Sequence, residues 1–213
     1  MKKQNQKQTK RPGDHFYNEA KEHGFLARSV FKLQEIDKKF RLFPQQRKEP
    51  FFVIDLGCAP GSWLQYVLPK LQGNDDKVIG IDLNNIVLTH PKLVFIQGDI
   101  LETSPDDFKN AAGANAQKGF DLVISDMAPK TCGIKSVDQD RSMELCRMAM
   151  DVAVANLKKD GNFVIKVFQN NQVKQYMNDL KQHFSDVKIF KPESSRQESF
   201  EIYIVAQKFT SKA

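Results

Sequence analysis

The 213-residue sequence contains no hydrophobic run longer than a β-strand, so it offers neither a membrane span nor the apolar core of a secretory signal. Its three cysteines, Cys58, Cys132 and Cys146, are odd in number and lack metal-ligand spacing, which makes a reduced, cytoplasmic compartment the simplest setting and gives no reason to expect a metal. There is no internal repeat and, beyond the N-terminal tail, no low-complexity tract. Also missing is Gly-x-Gly-x-x-Gly, the glycine spacing that admits a dinucleotide pyrophosphate to a helix N-terminus.

What is present fits one domain of ordinary size: 40% hydrophobic and 27% charged residues suffice for a substantial core, and no further module is demanded. The net charge of +6 is placed unevenly. Residues 1–48 hold 13 Lys/Arg against 5 Asp/Glu, whereas residues 49–213 hold 19 against 21. A basic surface of this kind attracts a polyanion by neutralising phosphates and releasing counterions, so nucleic acid is the natural partner. Residues 1–12 taken alone read equally as a solvated, partly disordered tail, and 1–13 as a flexible basic tail.

From Asp14, an expected N-cap, helical spacing puts Phe16, Ala20 and His23 on one face, with Gly24 as terminator. A second helix is expected from about Ala27 to Phe40, its apolar stripe including Val30, Phe31, Leu33 and Ile36. Strands are expected at Phe51–Asp55, Lys77–Asp82, Leu93–Gln97, Phe120–Asp126, Asn162–Phe168, Val187–Phe190 and Glu201–Gln207. The helices between them are read near Ser62–Gln72, Val137–Lys158 and Asn171–Phe184, and Lys109–Gly119 as a surface loop or helix extension. Near-continuous Val/Ile/Leu runs separated by helices predict an α/β fold with a mostly parallel sheet of seven strands, closed by an antiparallel edge pair.

The run Phe51–Trp63 breaks from an apolar strand into the turn Gly57-Cys58-Ala59-Pro60-Gly61 before a helix opens. In open α/β sheets ligands bind beyond the carboxyl ends of the strands, and glycine lets backbone approach them closely. Asp55 at the start of this turn suits an amino-acid ammonium group better than a phosphate, so the expected guest is S-adenosylmethionine; the competing reading is an ordinary strand-to-helix turn. Further acids follow successive strands. Asp82 is placed to accept from both ribose hydroxyls of such a guest and Asp99 from its adenine amino group, with Ile100 covering the base. Trp63, the only tryptophan, either touches the cofactor or packs under the loop.

Asp126, ahead of the stiffening Pro129, ends the fourth strand, and Lys166 lies within the apolar run Phe163–Phe168. An ammonium group there is costly unless it is paired or reaches solvent. Lys32 within the second helix and Glu201 at the start of the last strand have bland alternatives as a surface lysine and an edge-strand charge.

Taken together, Ala27-Arg28-Ser29-Val30-Phe31-Lys32-Leu33, Asp55–Trp63, Ser125–Pro129, Ile165-Lys166-Val167-Phe168 and Glu201-Ile202-Tyr203 resemble, in order, the FtsJ/RrmJ family of ribose 2′-O-methyltransferases. The resemblance runs from about His15 to Phe209. It implies a Rossmann-like class I methyltransferase fold, S-adenosylmethionine as cofactor, and a catalytic tetrad of Lys32, Asp126, Lys166 and Glu201, with Asp55, Gly57, Gly61, Trp63, Asp82, Asp99, Ile100 and Asp126 at the cofactor. Asp126-Met127-Ala128-Pro129 followed by Gly133 and Asp138 is similar to the bacterial branch. That branch methylates a uridine in the A-loop of 23S rRNA, which implies rRNA or the large ribosomal subunit as partner and a monomeric enzyme working without metal.

Because a ribose hydroxyl is a weak acid, a base is useful, and Lys166 is the expected one, held by Asp126, with Lys32 and Glu201 orienting the hydroxyl and stabilising developing charge. Residues about 14–48 are then a helical RNA-binding extension on a single domain spanning 14–213, with Lys38, Lys39, Arg41 and Arg196 as RNA contacts. Three alternatives stand beside this reading. They are a tRNA anticodon-loop methyltransferase, a non-catalytic RNA-binding assembly factor on the same fold, and, disfavoured by the missing glycine, an NAD-dependent oxidoreductase.

Overall fold

The computed structural model describes residues 14–210, apart from Gln197 and the side chain of Asp14. The basic tail 1–13 and the expected Asp14 cap therefore lie outside the described residues. Seven strands form one sheet: β1 (Phe52–Leu56), β2 (Lys77–Asp82), β3 (Leu93–Gln97), β4 (Phe120–Ser125), β5 (Leu157–Phe168), β6 (Phe184–Phe190) and β7 (Glu201–Phe209). Their order is β3-β2-β1-β4-β5-β7-β6. Strands β3, β2, β1, β4 and β5 pair in parallel, and β7 runs antiparallel between β5 and β6, so the reversed pair stands at one margin of the sheet. The chain order turns back between β1 and β4, which opens a crevice at their carboxyl ends.

Helices cover both faces, as the continuous apolar strands require. On one face α2 (Ser29–Phe40) and α3 (Ser62–Val67) bury Leu33, Ile36, Trp63 and Leu64 against Val53, Val164, Tyr203 and Val205. On the other, α4 (Pro105–Ala112), α5 (Lys135–Asn156) and α6 (Val173–Leu180) pack Phe108, Met143, Ala149 and Tyr176 against Ile54, Val123, Phe163 and Ile204. The first helix, α1 (Asp14–Glu22), is held on α2 by a small cluster of Ala20, Val30 and Phe31, and Gly24 at φ 70° ends it. His23, expected on the apolar face, stays exposed.

Of the two readings of residues 109–119, the helix extension fits Lys109–Ala112, the last turn of α4, after which a short 3₁₀ turn follows at Ala114–Ala116; Phe108, Ala112 and Ala116 point into the core. The α4 start is a capping box, Ser104 accepting from the Asp107 amide while Asp107 accepts from that of Ser104, with Pro105 in the first turn. Helix α5 stops at Asn156, and β5 begins at Leu157, earlier than expected, with a register shift against β4 and Asp160 at φ 65°. No helix among the described residues is long and apolar enough to cross a membrane.

Candidate active site

Register places the expected site residues. Lys166 of β5 lies opposite Tyr203 of β7, and Phe168 lies opposite Glu201. Side chains two apart on a strand share a face, so Lys166, Tyr203 and Glu201 all emerge toward α2. Helix α2 carries Lys32 onto that face beside Leu33 and Ile36, the buried side of its stripe. Asp126 follows the last residue of β4, next to β5.

The four expected residues are brought together. Lys32 Nζ donates to Glu201 Oε2 at 2.8 Å. Lys166 Nζ lies 3.1 Å from Asp126 Oδ1 and also donates to the Asp126 backbone carbonyl. All four line one cavity of about 490 Å³, together with Arg28, Ser29, Arg196 and Glu198. Burial alone would raise the Glu201 carboxyl, but the charge and hydrogen bond of Lys32, assisted by Lys166 and Ser199, hold it below its ordinary value.

Tyr203 is a member that reading the sequence missed. Its hydroxyl donates to Asp126 Oδ1 at 2.7 Å, and Lys32 Nζ sits 5.7 Å from its ring centroid. Burial, then the negative charge of Asp126 and the bond to it, push this phenol well above its ordinary pKa, so it remains a donor that fixes the carboxylate. The available signal was its spacing two residues beyond Glu201.

Glu35 was missed as well. Its carboxylate accepts from the Glu193 amide at 2.6 Å and the Ser194 amide at 2.9 Å, clamping the loop that carries Arg196 to α2. Only tertiary structure brings these segments together.

On the cofactor side, Asp55 is the informative residue. It is 1% exposed, and neither of its carboxylate oxygens has a hydrogen-bond partner. Burial, followed by the charges of Asp126 and Asp82, raises its pKa well above the ordinary carboxylate value. An unpaired buried carboxylate with two further acids facing it is a site short of positive charge. The ammonium and sulfonium groups of S-adenosylmethionine are of the sign it lacks, so the residues fit that cofactor.

Asp82 is largely committed within the protein: it accepts from the Ala59 amide at 2.9 Å, the Asn84 amide at 2.8 Å and Asn84 Nδ2 at 3.1 Å, tying the glycine turn to β2. A carboxylate has about four acceptor positions, which leaves room for a ligand hydroxyl. Asp99 and Ile100 are half-buried just beyond β3, where Asp99 Oδ1 accepts from the Leu101 amide at 3.0 Å.

The two glycines are fixed by packing as well as by conformation. A Cβ on Gly57, at φ 73°, would stand 2.5 Å from Met127 Cγ, and one on Gly61, at φ 110°, would stand 2.6 Å from Leu88 Cδ1. Trp63 packs beneath the turn, 2% exposed, donating its indole N–H to the Ser29 carbonyl at 2.9 Å and lying against Tyr203. Its side chain supports the crevice from below. Ser29 Oγ also bonds Ser62 Oγ at 2.7 Å, and Gln65 accepts from the Leu26 amide at 2.8 Å and donates to the Gly24 carbonyl at 3.0 Å. The N-terminal extension is thereby bolted to α3.

The family model described as FtsJ-like methyltransferase matches residues 25–209, which include every site residue named above. The chain belongs to this family. FtsJ-like relatives named "Ribosomal RNA large subunit methyltransferase E" include one from Bdellovibrio bacteriovorus, 45% identical over 197 residues that cover 92% of this chain and 97% of the relative. Another, from Methanococcus maripaludis, is 38% identical, covering 95% of this chain and 76% of the relative. A solved structure described as a putative ribosomal RNA methyltransferase from Plasmodium falciparum superposes with a TM-score of 0.74 at 29% identity, covering 88% of this chain and all of that one. Among the described residues of this FtsJ-like chain, no three His, Cys, Asp or Glu side chains are grouped as metal ligands.

Proposed function

We propose that this methyltransferase acts on the 2′-hydroxyl of a ribose in large-subunit ribosomal RNA, a uridine of the A-loop, using S-adenosylmethionine. The observation that carries the reading is the pairing of Lys166 with Asp126 across the same cavity from the Lys32–Glu201 pair. When bound, the cofactor supplies an electrophilic methyl group on a sulfonium.

The protein's residues do the rest. A ribose hydroxyl is a weak acid, so its attack is helped by a base that removes the proton as the bond forms. Two of the tetrahedral positions of the Lys166 amine are taken up by the carboxylate and backbone carbonyl of Asp126. The position that remains is the one through which this amine would meet the hydroxyl. Tyr203 holds Asp126, and Asp126 in turn holds Lys166, so positioning is built in before substrate arrives. Lys32 and Glu201 orient the hydroxyl from the opposite wall. Arg28 and Arg196 on the rim supply positive charge for flanking phosphates, and Lys38, Lys39 and Arg41 extend that surface along and just past α2.

The test is transfer of a radiolabelled methyl group to large ribosomal subunits, free rRNA and tRNA, followed by mapping of the modified ribose. Label at a 2′-O-methyluridine of large-subunit rRNA is the expected result. Label on tRNA alone would move the enzyme to the anticodon-loop branch, and binding of RNA without transfer would make it an assembly factor.

A further inference from the structure

A second and larger cavity, of about 930 Å³, lies on the far side of the segment Ser199–Glu201. Ser199 and Glu201 line the tetrad cavity, whereas Phe200 between them lines this groove, so three consecutive residues form a wall common to both. The opposite wall comes from Gln169, Asn170 and Asn171, just past β5, and from Gln139 on α5. The amide of Gln169 donates to the Phe200 carbonyl at 2.8 Å, and the Gln139 Nε2 donates to the Gln169 carbonyl at 2.6 Å, which fixes the two walls to each other.

The lining is unusual in chemistry. Carboxamide side chains dominate, each carrying a donor and an acceptor in one plane, the pattern that matches a base edge. Asn170 Oδ1 accepts from the Gln172 amide at 2.7 Å, and its Nδ2 is buried with no partner, so a turn of this side chain toward the groove would give that donor an acceptor it now lacks. Phe200 stands edge-on to Phe168, with centroids 4.8 Å apart at 84°, and remains 37% exposed, so a fixed aromatic face is left open. The charges in the wall, Lys135 and Asp140, are opposite in sign, which favours a neutral polar guest over a phosphate.

We propose that this groove holds the base of an unpaired nucleotide next to the target ribose, stacked on Phe200 and read at its edge by Asn170 and its neighbouring amides. Unpaired RNA is recognised in this way, by aromatic stacking combined with hydrogen bonds to exposed base edges. The proposal rests on the RNA-ribose reading given above and extends it from the reacting sugar to the sequence around it.

The test compares wild-type protein with Phe200→Leu, Phe200→Trp and Asn170→Ala on rRNA fragments spanning the mapped ribose, in which each flanking nucleotide is exchanged in turn. Phe200→Leu should raise KM for RNA by about tenfold, the size of one lost base–aromatic stack, with kcat and S-adenosylhomocysteine affinity retained. Phe200→Trp should restore KM, and Asn170→Ala should flatten the ranking among fragments altered at one flanking position. Wild-type KM and ranking in Phe200→Leu and Asn170→Ala would overturn the groove while leaving methyl transfer standing. So would a fall in kcat alone in Phe200→Leu, which would mark a disturbance of Glu201. Failure of the wild-type protein to label any RNA would overturn the ribose reading and the groove with it.

Discussion

The two halves of the ligand crevice balance their charges differently. Beyond β4, β5 and β7, Lys166 is matched by Asp126, Lys32 by Glu201, and Asp126 is held again by Tyr203. Beyond β1 and β2, Asp55 is buried with no partner, and the neighbouring acids Asp82 and Asp126 deepen its deficit. On the proposed function, the half that would react is assembled in the protein itself, whereas the half that would hold the cofactor carries an unfavourable charge that a cationic ligand would relieve. That reading puts rate in one half and binding energy in the other, and substitutions should separate them.

The largest effect is expected in the assembled half. Lys166→Arg keeps the charge but removes any practical base, so methyl transfer should fall by about 10²–10⁴-fold while S-adenosylhomocysteine still binds, as single-turnover assays and calorimetry would report. Near-normal transfer would erase the distinction between the halves.

Asp55→Asn tests the other side. Cofactor affinity should drop by about tenfold to a hundredfold, the worth of a hydrogen bond to a charged group. The same change should stabilise the cofactor-free protein at neutral pH by about 1–3 kcal/mol, at roughly 2–4 °C per kcal/mol for a chain of this size. The sign follows from the raised pKa. The folded state holds the Asp55 proton more tightly than the unfolded chain, so the wild-type penalty is absent below the unfolded value and grows as pH rises toward the folded one. The thermal advantage of Asp55→Asn should accordingly vanish in acid. Glu201 runs the other way: its lowered pKa means that its contribution is present above the unfolded value and is lost only as pH falls through the folded one.

A smaller effect concerns the basic surface at the C-terminal end of α2, outside both halves of the crevice. RNA affinity should weaken steeply with salt, and replacing Lys38, Lys39 and Arg41 together by Gln should reduce the slope of log K against log salt by about 2, at roughly 0.7 per phosphate contact on a single strand. A flat response in the wild-type protein would leave the N-terminal charge without a role. Smallest is Glu35→Ala, which frees the loop bearing Arg196 and should cost about 1–3 kcal/mol in denaturant unfolding.

Reading the sequence located the strands because their Val/Ile/Leu runs are continuous, and it located the acids because they terminate those runs. It missed α4, although Ser104-Pro105-Asp106-Asp107 is a helix start, because only Phe108 and the small Ala112 mark its buried face. Lys32, Asp126, Lys166 and Glu201 could be named as a group only through the ordered motifs; taken singly, each had a bland explanation. Tyr203 and Glu35 escaped notice because their partners are supplied by remote segments, at Asp126 and at residues 193–194. Trp63 showed the reverse limit. Its place beside the glycine turn was plain, but whether the ring faced inward or outward depended on a carbonyl of α2.

The bolts between α3 and residues 24–29 bear on any attempt to retarget this enzyme. Lys32 rides on the same helix as Lys38 and Lys39, so on the proposed function exchanging the first 48 residues for those of a relative would transplant part of the reaction chemistry together with the address label. A chimaera would succeed only where the donor segment also presented a hydroxyl to Ser62 and a carbonyl to the indole of Trp63. On that function, recognition and chemistry would be inherited as one piece.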